Sequence, residues 1–276
     1  MTINEAQARF WNGPAAEGWV KGQAMLDGMF APVAERIVET VTEAPARNVL
    51  DVGCGTGATT LAISRALGDS AACTGLDISE PMLALARARA KDAGATAQFI
   101  RADAQTHAFA PGQYDTIVSR FGIMFFDDPV AAFSNLRRAC AAGGRLRCIA
   151  WRSMADNPFM TTAERAAAPL LPDMPAREED VPGQFGLADA DRTRRILADS
   201  GWTGIAFVPV DFACTMPAAA IDGFLIQRGP VGAALQDVDD ATRARVIETA
   251  RAAFAPYVHG DEVRFNAACW MIRAQA

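Results

Sequence analysis

The stretch NVLDVGCGTG, Asn48 to Gly57, decides how the rest of the chain is read. A short apolar run carrying Asp51 passes into glycines at 53, 55 and 57. The segment that follows, ATTLAISRALG, reads as a helix closed by Gly68. A strand that enters a helix through such a turn presents bare backbone and the free N–H groups of a helix start. That suits a nucleotide-like ligand at the C-terminal edge of a parallel sheet. A tight turn with no ligand is the other reading. The spacing here is G-x-G-x-G, not the G-x-G-x-x-G of the dinucleotide fingerprint, and without a Lys-Ser/Thr pair a P-loop is excluded.

Outward from this turn, strands and helices alternate. APVAERIVETVTEA places Val33, Ile37 and Val41 at helical spacing and stops at Pro45. AACTGLDIS is a second strand. Ser79 caps the next helix, Pro81 sits in its first turn, and Gly94 ends it. AQFIRADA and YDTIVSRFGIMFF supply strands three and four. A helix with Asp128 as N-cap and Pro129 at its first position runs to Gly143-Gly144, and RLRCIAWR is strand five. This alternation predicts an α/β fold, a parallel sheet covered on both faces. Residues 153–182, rich in Ala, Pro, Asp and Glu, read as an insertion with one helix around Thr161 to Leu171. A helix in DADRTRRILADSG, a strand near 205–214, a helical stretch over 217–256 broken at Gly229-Pro230, and a last strand near 262–273 complete the order.

Two further acidic residues stand at strand ends. Asp77 lies about 20 residues past the glycines, where a carboxylate can accept both hydroxyls of a ribose. Asp103 follows FIRA and can take an adenine amino group, with the Ala104 N–H meeting a ring nitrogen. Three carboxylates at three successive strand ends favour a nucleoside-bearing ligand over a solvated surface.

The bulk properties narrow the class. The chain has 276 residues, 51% hydrophobic, with a formal net charge of −6. That acidic balance, with no long basic run, makes nucleic acid a poor partner. No signal peptide and no run of ~18 apolar residues is visible, so no membrane span is expected and a cytoplasmic location is. Six cysteines without a C-x-x-C pair and only two histidines argue against a metal site and for free buried thiols.

At VLDVGCGTG, GLDISEPML, RADA and YDTIVSRFGIMFF the chain resembles the class I S-adenosylmethionine-dependent methyltransferases, small-molecule branch, similar to the ubiquinone and menaquinone C-methyltransferases. The resemblance covers about Arg47 to Arg152. It implies a Rossmann-like, doubly wound, mostly parallel seven-stranded sheet with a final antiparallel strand. It divides the chain into an N-terminal lid segment 1–46, a cofactor-binding core 47–152 and a completion 153–276 with helical cap insertions 153–182 and 217–256. The implied cofactor is S-adenosyl-L-methionine, released as S-adenosyl-L-homocysteine, with no metal.

Carried over, Asp51 and the backbone of Gly53, Cys54, Gly55 and Gly57 hold the amino-acid part of the cofactor. Asp77 binds the ribose, Ile78 and Met82 flank the adenine, and Asp103 and Ala104 read its edge. Ser119 and Arg120 lie near the methionine portion. Met82 is equally well placed as helix core. If the last strand is antiparallel, both insertions and the N-terminal segment rise above the ligand edge as a lid. In that lid Phe10, Trp11 and Trp19, with Phe121, are candidates to line an apolar acceptor pocket, while Phe125 and Phe126 read as packing. His259 and Asp156 are the candidate bases, though an exposed loop histidine is the plainer reading of His259.

The expected reaction is methyl transfer by in-line displacement to a small acceptor at O, N, C or S. A non-methylating cofactor-binding member of the fold is the alternative, and an RNA methyltransferase a remoter one. A homodimer is carried as an open expectation. The Asn/Asp-Pro-Pro-Tyr/Phe loop of amino-methyltransferases acting on nucleobases is replaced after strand four by SRFG.

Overall fold

A computed structural model describes residues 3–227 and 229–276. The N-terminal segment forms α1 (Ile3–Phe10), α2 (Pro14–Lys21), α3 (Gln23–Met29) and α4 (Ala31–Thr42). Val33, Ile37 and Val41 of α4 are fully buried, as their spacing predicts. Then β1 (Asn48–Val52), α5 (Ala58–Leu67), β2 (Ala72–Asp77), α6 (Glu80–Asp92), β3 (Gln98–Arg101), β4 (Tyr114–Arg120), α7 (Pro129–Ala139) and β5 (Cys140–Trp151) alternate. The hydroxyl of Ser79 accepts from Met82 N and the carboxylate of Asp128 from Ala131 N, so both expected caps are formed.

The remaining elements are α8 (Thr162–Ala167), α9 (Ala190–Asp199), β6 (Thr203–Pro217), α10 (Ile221–Gln227), α11 (Gly229–Ala234), α12 (Asp240–Ala253), β7 (Val258–His259) and β8 (Glu262–Gln275). No described helix is long and apolar enough to cross a membrane.

One sheet runs in the order β3-β2-β1-β4-β5-β8-β6, with β7 paired to β8. Strands β1 to β5 are parallel, and β8 is antiparallel to both neighbours, β5 and β6. The two-residue β7 makes the sheet eight-stranded, one more than the resemblance implies. Helices α4 with α5, and α7 with α9, pack on the sheet as two pairs. Right-handed crossovers between parallel strands put such helices on both faces.

One boundary departs from the sequence reading. The helix α7 stops at Ala139, and β5 opens at Cys140 rather than after Gly143-Gly144. Tyr114 pairs with Cys140, but Thr116 already pairs with Arg145, so the glycines sit in a register shift of the ladder. Gly143 has φ 74, and its N–H donates to Ala276 O. The pair serves a bulge, not a helix stop.

The antiparallel arm positions the cap. Pairing of β5 with β8 ends at Trp151 opposite Cys269, while β6 and β8 stay paired to Pro217 opposite Glu262. Seven more residues of β8 therefore stand beyond the end of β5, about 23 Å at ~3.3 Å per residue. Phe265 on this arm stacks on Phe159 at 3.8 Å, and Phe254 and Tyr257 close on Phe159 edge-first. Ala167, Leu171, Val231, Leu235 and Val246, drawn from both insertions, form a separate small core.

Candidate active site

The glycine turn is shaped by contacts on both sides. Gly53 and Cys54 donate backbone N–H to Leu76 O at 2.8 and 3.1 Å. Gly53, Gly55 and Gly57 all have positive φ. A Cβ on Gly53 would stand 2.5 Å from Gly122 Cα, so the turn and the loop after β4 touch through bare backbone. Gly57 differs in role. It is the N-cap of α5, and a Cβ there would stand 3.0 Å from Ala86 and Phe99, which makes it a packing glycine.

The carboxylates organise the floor. Asp77 accepts Gly55 N on Oδ2 at 2.8 Å and Ser79 N on Oδ1 at 2.9 Å, tying the turn to the loop after β2. Burial raises its pKa against those hydrogen bonds. Asp51 is 1% exposed. Thr60 Oγ1 donates to its Oδ2 at 2.6 Å, and Oδ1 has no partner. Burial pushes this carboxyl up to about 6. Burial also drives the Cys54 thiol well above its ordinary value, reinforced by Asp77 and Asp51, so it stays protonated within the turn.

Arg120, at the end of β4, has an Nη1 that is buried without a partner, and desolvation lowers its pKa. Asp51 and Arg120 influence one another's charge without forming an ion pair. Ser119 is buried behind them, its hydroxyl donating to Val52 O at 2.7 Å and accepting from Gly122 N at 3.1 Å. Asp103 accepts Gln105 N at 2.9 Å and holds the turn after β3.

These elements open into one cavity of about 1240 Å³. Gly53, Cys54, Gly55, Asp77, Ile78 and Met82 border it, as do Asp103, Ala104 and Arg120. So do the aromatic candidates Phe10, Trp11, Trp19 and Phe121. Asp51, Gly57 and Ser119 stand behind the wall. Among the described residues no group of three metal-type ligands converges.

The aromatic wall is built locally. Phe121 has φ 64, a left-handed conformation that a bulky residue adopts only under constraint. Its ring stacks on Trp151 at 4.6 Å and 7°, and Phe30 meets both edge-first. Trp11 stands edge-on to Phe125 and Trp19 at 5.4 and 6.0 Å.

The two candidate bases lie elsewhere. Asp156 is bound by Arg152 at 2.7 Å and by the Ser153 hydroxyl at 2.7 Å, which hold its pKa down. His259 is exposed in β7, opposite Glu262. Neither borders the cavity. Asn12, which the sequence reading passes over, clasps the N-terminal segment to the loop after β2. It donates to Ile78 O at 3.0 Å and accepts from Glu80 N at 2.9 Å. Its only sequence signal is the Asn-Gly-Pro between Trp11 and Trp19. Arg177 and Glu164 in the first insertion, and Gln184 just after it, also border the cavity, and no motif marks them.

Residues 49–144 match the family model described as a methyltransferase domain. A demethylmenaquinone methyltransferase of Thermus thermophilus is 38% identical over 112 residues, 40% of this chain and 50% of that protein. An uncharacterized protein of Mycobacterium tuberculosis is 33% identical over 135 residues, 48% of each chain. The chain thus spans about half the length of these curated relatives. The solved YcgJ protein of Bacillus subtilis is alike in fold, with a TM-score of 0.57 at 16% identity over 87% of this chain and 98% of that one. Residues 49–144 are thus similar to methyltransferase domains, the demethylmenaquinone methyltransferase included, and the chain shares its overall fold with the solved Bacillus protein.

Proposed function

We propose that the chain transfers the methyl group of S-adenosylmethionine to a small, mainly apolar organic acceptor. One observation carries this reading. A buried carboxylate oxygen of Asp51 and a buried guanidinium nitrogen of Arg120, both unpartnered, lie near a glycine turn in which Gly53 has no room for a side chain. An α-amino acid offers the ammonium and carboxylate that satisfy both. The residues therefore fit the cofactor.

Asp51 would hold its ammonium and Arg120 its carboxylate, Asp77 the ribose hydroxyls, and Asp103 with Ala104 the adenine edge. When bound, the cofactor supplies a methyl group already activated on a sulfonium. The chain's share is alignment and exclusion of water. Ser119 locks Gly122 against Gly53, which fixes the cleft width. The Phe121–Trp151 stack and Phe30 give an electron-rich wall suited to a cation. A cytoplasmic setting fits six free, buried thiols.

Calorimetric titration with S-adenosylmethionine and S-adenosylhomocysteine tests the placement, followed by release of the latter against a panel of small acceptors. Binding with measurable turnover on an apolar acceptor is the expected result. No binding at millimolar cofactor refutes the reading.

A further inference from the structure

Beneath the cap the cavity wall turns apolar, with Met160, Ala163, Phe224, Val231 and Phe254 facing it. Gln236 and a built polar cluster around Arg177 interrupt this stretch. Arg177 Nε donates to both oxygens of Glu164, at 3.2 and 3.0 Å, and Nη2 donates to Glu164 Oε1. Arg177 Nη1 donates to Gln184 Oε1, and the guanidinium carbon stands 5.7 Å from the Phe185 ring centre. The two charged side chains are only 17% and 14% exposed. Placing an ion pair in an apolar wall is costly unless its hydrogen-bonding capacity is used.

The valences show what is left over. A guanidinium has five N–H groups. Three are engaged here, leaving one on Nη1 and one on Nη2. The Gln184 amide nitrogen adds two more donors with no partner among the described residues. Glu164 has most of its acceptor capacity taken by Arg177. The cluster therefore presents surplus N–H donors, and its charges cancel. A neutral oxygen acceptor matches it better than a carboxylate or a phosphate.

The cluster is also anchored to the cofactor cleft. Gly183 N donates to Met124 O at 3.0 Å, and a Cβ on Gly186 would meet the same carbonyl at 2.5 Å. The loop carrying Gln184 thus rests on the turn that follows Gly122, the residue abutting Gly53.

We propose that Arg177, Glu164 and Gln184 form the acceptor subsite that reads a neutral carbonyl-type oxygen on an otherwise apolar substrate. This deepens the methyl-transfer reading and rests on it. The test is calorimetry on the full chain saturated with S-adenosylhomocysteine, using 1-indanone, indane and indane-1-carboxylate as probes of similar size. Wild-type protein should bind 1-indanone about tenfold more tightly than either of the others. Gln184→Leu should cut that preference to about threefold or less, with S-adenosylhomocysteine affinity unchanged. The charge-balanced double change Glu164→Gln with Arg177→Met, which removes both partners of the pair at once, should abolish it.

Equal binding of the three probes by wild type, a preference for the carboxylate, or an undiminished preference in the variants overturns the subsite alone. Failure of wild type to bind S-adenosylhomocysteine overturns the methyl-transfer reading and the subsite with it.

Discussion

Replacing Asp51 by Asn should make the cofactor-free protein more stable and its cofactor complex weaker. The carboxyl is buried with one oxygen unpartnered, and burial raises its pKa from the ordinary 3.8 to about 6, against the lowering effects of Thr60 and Arg120. The folded state therefore holds the Asp51 proton more tightly than the unfolded chain does. Below about pH 4 both states are protonated and the group is neutral in the balance. As pH rises from about 4 to about 6 the unfolded chain releases its proton first, so stability falls. Above that window the whole penalty stands, about 3 kcal/mol at ~1.4 kcal/mol per tenfold change in proton affinity.

Asn keeps an acceptor for the Thr60 hydroxyl and carries no charge. Urea denaturation at about pH 7.5 should show Asp51→Asn more stable by about 2–3 kcal/mol, with the gap closing toward about pH 4. Cofactor affinity should fall by about 1.5–3 kcal/mol, the worth of a hydrogen bond to a charged group. The bound ammonium prefers an ionised Asp51, so wild-type affinity should rise with pH through about 6 while the variant stays flat. A variant no more stable than wild type at about pH 7.5 refutes the burial argument. Cofactor binding that does not change refutes the pairing with the ammonium.

Gly53→Ala puts a Cβ 2.5 Å from Gly122 Cα on a residue of φ +67 and should cost about 2–5 kcal/mol of stability. An unmoved urea midpoint would contradict the close approach. Asn12→Ala removes both bonds between the N-terminal segment and the loop after β2, worth about 1–3 kcal/mol together. Limited proteolysis should then cut within residues 3–21 faster, and an unaltered rate would dispose of the clasp. His259→Ala should leave turnover within about twofold of wild type, because an exposed side chain outside the cavity lacks contact with the reacting groups. A tenfold loss would return His259 to the chemistry.

The glycine-turn side of the candidate site was legible because its signals are local. A glycine turn, Ser79, Asp128 and the strand-end carboxylates each act on backbone a few residues away, and short-range pattern records that. The start of β5 was hidden because Cys140, Ala141 and Ala142 carry no strand signature, and only pairing with β4 makes Cys140 a strand residue. Asn12 works on partners 66 and 68 residues away, and Glu164 and Gln184 converge on Arg177 from either side. Nothing in the composition of those segments encodes that meeting. His259 shows the opposite case, its exposure agreeing with the plainer reading of a loop histidine. Topology brings it to the correct edge of the sheet, but its pairing opposite Glu262 leaves it exposed and outside the cavity.

The strand order has a consequence for biosynthesis. Among the described strands β6 forms ladder hydrogen bonds with β8 alone, and β8 is made after both β5 and β6, between which it lies. Roughly 45 residues separate Pro217 from Glu262, about 2–9 s of translation at ~5–20 residues per second. Throughout that interval a fifteen-residue ribbon with two open edges waits on the ribosome for its mate. Nascent chains stalled between these points should be the ones that recruit chaperones and clump, while chains released past β8 should not.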